Sequence, residues 1–163
     1  MMKLSAKAVR ELVAAAKRAR LKAYCPYSRY PIGAAVLTDA GRIYTGANVE
    51  NASYGLTMCG ERVAVANAVT RGEKALRAVC VVGRSPKPCG ACRQVVIEFS
   101  SKDTWLIIVD LGGEGRRETV TTLRMLSMLP GAFDPLEAGL LPMNPQNLLK
   151  RRARKSKARR PRR

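Results

Sequence analysis

Two short stretches, Cys59-Gly60-Glu61 and Pro88-Cys89-Gly90-Ala91-Cys92, lie well apart in a chain that contains no histidine. Cys89 and Cys92 are three residues apart and share one face at the opening of an expected helix, while Cys59 opens another. At both helix starts the exposed backbone N–H groups and the helix dipole favour thiolate over thiol. A fold that aims both helix N-termini at one ion therefore gathers three sulfur ligands. Zinc accepts such ligands in tetrahedral geometry; closed structural sites take four, whereas catalytic sites take three and leave the fourth position open for water. Three ligands, with Glu61 two residues beyond the first, point to a metal-activated water whose protons Glu61 moves. A structural site would lack its fourth ligand and give Glu61 no role.

The charge on such a centre singles out Arg62. A divalent zinc with three thiolates carries a net negative charge, which weakens its power to acidify water, and no histidine is present to relieve this. A nearby cation restores part of that power. Arg62 and Arg93 both adjoin the site in sequence, and Arg62 is the first choice. Without histidine a Ser-His-Asp triad is excluded. Cys80 sits in an apolar run and reads as core packing, and Cys25 reads as a small loop residue near the pocket.

With 163 residues the chain has room for one domain with a proper core. No segment approaches the roughly 20 apolar residues of a membrane helix, and no apolar block or cleavage site follows the basic N-terminus. Five cysteines without an export signal are expected to be reduced thiols in a cytoplasm. The net charge of +18 is uneven: Lys150 to Arg163 carries ten Lys or Arg and no acid, and without it the remainder is +8. Such a run repels itself and has nothing larger than Ala to bury, so it is expected to be a disordered appendage. Residues 1–137 are accordingly expected to form the catalytic domain and 138–163 a basic tail.

Leu4, Ala8, Leu12, Ala15 and Ala19 recur at helical spacing, which predicts an amphipathic helix over 4–22 covering one face of a sheet. Residues 32–37 and 42–47 read as strands joined at Asp39-Ala40-Gly41. A helix is expected over 58–70, stopped by Gly72, and another from about Gly90 to Phe99. The apolar runs 78–82 and 105–109 read as strands buried on both faces. An edge strand is expected around Arg116 to Val120, then a short helix from Leu123 to Leu129, ended by Pro130-Gly131. A hairpin followed by alternating strands and helices gives a layered α/β domain with a mixed sheet.

These residues resemble the small, homotetrameric, zinc-dependent cytidine deaminases. The likeness runs from Ala23-Tyr24-Cys25-Pro26-Tyr27-Ser28-Arg29-Tyr30-Pro31-Ile32-Gly33-Ala34-Ala35 through Gly46-Ala47-Asn48-Val49-Glu50-Asn51-Ala52-Ser53-Tyr54 and Cys59-Gly60-Glu61-Arg62. It continues to Pro88-Cys89-Gly90-Ala91-Cys92-Arg93-Gln94 and Leu129-Pro130-Gly131-Ala132-Phe133. The resemblance implies a three-layer α/β/α sandwich with a five-stranded mixed sheet. It also implies hydrolysis of cytidine and 2′-deoxycytidine to uridine, 2′-deoxyuridine and ammonia, in pyrimidine salvage. By it, Cys59, Cys89 and Cys92 hold Zn²⁺, Glu61 is the acid and base, and Arg62 hydrogen-bonds the thiolates. Asn48 and Glu50 match the pair that holds a ribose hydroxyl. Tyr30 stands where Phe is usual, near the base, with a hydroxyl that needs a partner. Phe133 matches an aromatic that a neighbouring subunit lays over the pyrimidine, so the site would be shared. Gly60 stands where Ala is common, a mild departure.

Two other readings compete. A relative acting on a different cytosine-bearing compound, such as a nucleoside antibiotic, is the first, although Asn48 and Glu50 favour ordinary ribosides. The second is a nucleic-acid-binding or editing protein that uses the basic tail, since Lys and Arg runs neutralise phosphates. The tail lacks the aromatics that stack single-stranded bases. Nonspecific nucleic-acid binding by the tail is therefore the preferred reading of that segment.

Overall fold

The computed structural model describes residues 4–113, 115–135 and 138–140. Nearly all of the basic tail expected after residue 138 lies outside the described residues. The elements follow the order α1 (Ala6–Arg20), β1 (Gly33–Thr38), β2 (Ile43–Ala47), α2 (Gly60–Val69), β3 (Leu76–Gly83), α3 (Gly90–Glu98), β4 (Trp105–Asp110) and β5 (Thr119–Arg124), with 3-10 turns at Tyr54–Leu56 and Met125–Met128. The five strands form one mixed sheet in the order β2-β1-β3-β4-β5. Only β3 and β4 are parallel, joined through α3. Among the described residues no helix is long and apolar enough to cross a membrane.

Helix α1 starts at Ser5, whose side chain accepts from the Ala8 amide at 3.1 Å and so satisfies one of the free N–H groups of the first turn. Lys17, Arg18 and Arg20 place positive charge at the negative end of its dipole. Its buried stripe, Leu12, Ala15 and Ala16, packs on Ala35, Leu37, Ala78, Cys80, Val82, Ile107 and Val109. The alternate residues of the same strands, Ala34, Val36, Val79, Val81 and Leu106, face the opposite layer, where Ala64, Val65, Ala68 and Val96 of α2 and α3 cover them. Both faces of β3 are therefore dry, as its apolar run required. The expected three-layer sandwich is the fold found.

Two expectations near the C-terminal end need correction. The edge strand begins at Thr119 rather than Arg116, and it runs on through Arg124. It pairs antiparallel with the whole of β4, from Asp110↔Thr119 to Trp105↔Arg124. β-branched residues at Thr119, Val120, Thr121 and Thr122 suit a pleated edge. Arg124 ends the strand with its guanidinium 3.5 Å from the Trp105 ring centre and donates to the Asp103 carbonyl at 2.8 Å. Because the strand takes Leu123 and Arg124, the helix expected over 123–129 is reduced to the 3-10 turn Met125–Met128.

Glycine sets how closely the layers approach. A Cβ at Gly46 would lie 2.4 Å from the Ala64 nitrogen and 2.5 Å from the Gly60 carbonyl oxygen, both backbone atoms of α2. This contact seats the start of α2, and with it Cys59 and Glu61, against the end of β2. Gly46→Ala should destabilise the protein by about 3 kcal/mol, the upper range for overpacking against atoms that cannot swing away. Urea denaturation of the two proteins checks it, and a loss below about 1 kcal/mol would mean that the layers separate freely.

Candidate active site

The site forms where the chain leaves β2 and where it leaves β3. Beyond Ala47, Val49 pairs with Met58 through two 2.9 Å backbone hydrogen bonds. On its other side Tyr24 accepts from the Glu50 amide at 2.8 Å and donates to the Asn48 carbonyl at 2.9 Å. This small ladder sets Asn48 and Glu50 beside Cys59. Cys59 is the residue that precedes α2, and Cys89 likewise precedes α3; neither sulfur caps its own helix. Both are thus free to face one point outside the carboxyl ends of the strands, the usual place for a ligand in an open α/β sheet.

The three sulfurs do meet. Cys59, Cys89 and Cys92 place their Sγ atoms within 4.8 Å of one another, with Cys59 to Cys89 at 3.9 Å and Cys89 to Cys92 at 3.5 Å. Two Zn–S bonds of about 2.3 Å at a tetrahedral angle put sulfurs about 3.8 Å apart, so the cluster fits zinc in size as well as in donor chemistry. The Cys59 thiol is lowered to about 5 by hydrogen bonds from Cys92 and Cys89 and by Arg62, against the opposing effect of burial. Cys92 is held protonated, chiefly as the donor to Cys59. Arg62 donates through Nη2 to the Thr57 carbonyl at 2.6 Å, and its buried Nε has no hydrogen-bond partner among the described residues. An orphaned cationic N–H beside a thiolate is what a metal-bound sulfur cluster would use.

Glu61 is 4 % exposed in the first turn of α2. Burial pushes its carboxyl up, and the nearby Cys59 thiolate adds to this, while Arg62 opposes it. It shares a cavity of about 230 Å³ with Cys59, Cys89, Tyr30, Asn48 and Glu50. Cys92 and Arg62 do not line it. A larger cavity, about 490 Å³, is lined by Ile97, Leu126, Leu129 and Phe133 but contains none of the clustered thiols, so volume does not locate the chemistry here.

Asn48 and Glu50 are already engaged with the protein. Asn48 Oδ1 accepts from the Ile32 amide at 2.8 Å and Nδ2 donates to the Tyr30 carbonyl at 3.0 Å. One N–H and one lone-pair direction remain for a ligand. Glu50 Oε2 accepts from the Tyr27 and Ser28 amides at 2.9 and 3.2 Å, and Tyr54 donates to Oε1 at 3.4 Å. Burial alone would raise the Glu50 carboxyl, but hydrogen bonds from the Ser28 hydroxyl, these amides and Tyr54 outweigh it, so it stays ionised and ready to accept. Phe133 is the one expected site residue that lies elsewhere within the chain. It is 58 % exposed, with its carbonyl accepting from Gln94 at 3.1 Å.

Sequence reading assigned no role to Ser28, Tyr54, Thr57 or Lys87, which all line the cavity. Ser28 and Tyr54 lie within the motif stretches, Ser28 in a loop and Tyr54 in a single 3-10 turn, both too short for any periodicity to show which way a side chain turns. Cys80 is fully buried, its thiol pushed up to about 12, as core packing requires. Cys25 does not line the cavity.

Comparison with known proteins agrees with this geometry. Residues 6–108 match the family described as the cytidine and deoxycytidylate deaminase zinc-binding region. A cytidine deaminase of Sporosarcina psychrophila is 43 % identical over 128 residues, covering 77 % of this chain and 90 % of that protein. One from Halalkalibacterium halodurans is 46 % identical over 125 residues, covering 75 % and 91 %. The crystal structure of cytidine deaminase from Burkholderia pseudomallei superposes with a TM-score of 0.67 at 42 % identity, covering 76 % of this chain and 98 % of that one. Sequence motifs, sheet order and the sulfur cluster converge, and the chain belongs to the family of the cytidine and deoxycytidylate deaminase zinc-binding region.

Proposed function

We propose that the protein hydrolyses cytidine and 2′-deoxycytidine to uridine and 2′-deoxyuridine with release of ammonia, as an enzyme of pyrimidine salvage in the cytoplasm. The observation that carries this reading is the meeting of three sulfurs with the buried Glu61 carboxyl in one nucleoside-sized cavity that also holds Asn48 and Glu50. Cys59, Cys89 and Cys92 would hold zinc, which when bound supplies the Lewis acidity that makes water nucleophilic near neutral pH. Glu61 takes a proton from the attacking water and delivers it to N3 of the pyrimidine, then takes the remaining proton from the hydroxyl now on C4 and passes it to the amine, which departs as ammonia when its bond to C4 breaks. Its raised carboxyl pKa suits a group that must hold a proton and then part with it. Arg62 offsets the charge of the thiolates. Asn48 and Glu50 take the sugar hydroxyls, and the ionised Glu50 disfavours a phosphate beside it.

In the same reading the enzyme is a homotetramer, and Phe133 of a neighbouring copy covers the pyrimidine. The exposure of Phe133, away from its own chain's cavity, supports this role. The basic tail binds RNA or DNA nonspecifically and takes no part in the chemistry.

The test is purified protein of measured zinc content, incubated with cytidine, deoxycytidine, cytidine monophosphate and single-stranded DNA. Turnover of the two nucleosides alone is expected; turnover of the polymer would overturn the assignment. Deleting Lys150–Arg163 should leave nucleoside turnover and zinc content unchanged. It should sharply reduce salt-sensitive binding to RNA or DNA, because it takes the net charge from +18 to +8 and counterion release scales with the phosphates neutralised. Loss of nucleoside turnover in a folded truncated protein would place the tail in the active site.

A further inference from the structure

The hydroxyl of Tyr30 finds its partner in the loop that carries Cys89. It donates to the Arg84 carbonyl and lies 3.4 Å from the Ser85 carbonyl oxygen. The backbone of Tyr30 is itself held from the other wall of the cavity, with its amide donating to Ser28 Oγ at 3.1 Å and its carbonyl accepting from Asn48 at 3.0 Å. One side chain thus joins the Asn48 side of the site to the cysteine side.

The loop from Arg84 to Pro88 has few other anchors. Pro86 and Pro88 lack an N–H, so two of its five residues cannot donate at all. The Ser85 amide donates to Asp110 Oδ1 at 2.8 Å, an oxygen that also accepts from Gly112 at 2.9 Å, and the Pro88 carbonyl accepts from Arg93 at 2.7 Å. Ser85 has φ +47°, and Arg29, next to Tyr30, has φ +53°. Left-handed backbone is unfavourable for both residue types and persists only where surrounding contacts impose it. The two strained residues flank the two ends of the Tyr30–Arg84 hydrogen bond.

We propose that the Tyr30 hydroxyl is a positioning group for the metal centre: by bonding the Arg84 carbonyl it pins the loop that delivers Lys87 to the cavity wall and Cys89 to the sulfur cluster. This rests on the reading of Cys59, Cys89 and Cys92 as the metal ligands. Glu61 is carried by α2 rather than by this loop, so the hydroxyl governs retention of metal and binding of substrate more than the proton transfers.

Tyr30→Phe keeps the ring and removes only the tether. The variant should load zinc to the wild-type stoichiometry and surrender it to a competing chelator about fivefold faster, the scale of one neutral hydrogen bond. KM for cytidine should rise by a similar factor while kcat stays within about twofold. Asp110→Ala, which frees the Ser85 and Gly112 amides, should also speed zinc release. Combined with Tyr30→Phe it should fall short of additivity, as expected for two ties on one loop. Tyr44→Phe removes a hydroxyl from the Arg42–Glu73 cluster at the far end of β2; it should leave zinc release unchanged. An unaltered release rate in Tyr30→Phe, or equal acceleration in Tyr44→Phe, would overturn the inference while leaving the metal site intact. A wild-type protein that bound no zinc would overturn the site and the inference together.

Discussion

Glu61→Gln should fold, bind zinc at the wild-type stoichiometry and lose at least about a thousandfold in kcat, within the range set by removing a general acid and base. The substitution keeps the size and the hydrogen-bonding shape of the side chain, and Glu61 is not one of the three grouped sulfur donors. What disappears is the ability to take a proton from water and return it to the pyrimidine. The fold has little to lose: the carboxyl is 4 % exposed, and burial and the neighbouring Cys59 thiolate both work against its charged form. A neutral amide therefore relieves an electrostatic cost, and thermal stability should be equal or slightly higher. Steady-state kinetics with metal analysis on the same preparation checks it. Activity within tenfold of the wild type would move the proton transfers to another group.

The sequence announced this carboxyl because its spacing from Cys59 was informative. Residues at a helix start have fixed relations to one another, so the two motifs could be read as one site before any fold was known. The sheet was legible for a similar reason: runs such as Val79-Cys80-Val81-Val82 can be buried on both faces only in the middle of a layered fold, and α1 showed its stripe at Leu12, Ala15 and Ala19. What could not be read lies where neither period applies. The start of β5 was misplaced because its register is set by β4, through pairs such as Trp105↔Arg124, and an exposed edge strand carries no strong apolar alternation. The Tyr30 tether was hidden because its partner is a carbonyl 54 residues away, and any residue type could supply that atom. Glu50 was found, but the Tyr27 and Ser28 amides that fix it follow from loop geometry alone.

Cys89→Ala should abolish stoichiometric zinc binding, and with it turnover. Two remaining sulfurs and two open positions make a poor zinc site, since catalytic sites keep three protein ligands. The loss also exposes how much of the folded state depends on the ion. A ligand that binds only the native protein stabilises it by an amount set by its concentration over its dissociation constant. A strong chelator should therefore lower the melting temperature of the wild-type protein and leave that of Cys89→Ala unmoved. Cys80→Ala provides the contrast: Cys80 is buried in β3 with its thiol pushed up to about 12, beside Leu12-layer side chains rather than the cluster. That variant should be less stable through the lost packing yet keep one zinc and its response to chelator. The two cysteines lie nine residues apart in sequence and differ in what surrounds the sulfur, so opposite outcomes would assign metal binding to the geometry of Cys59, Cys89 and Cys92. Full zinc retention in Cys89→Ala would remove that cluster from consideration, whatever the activity of the protein.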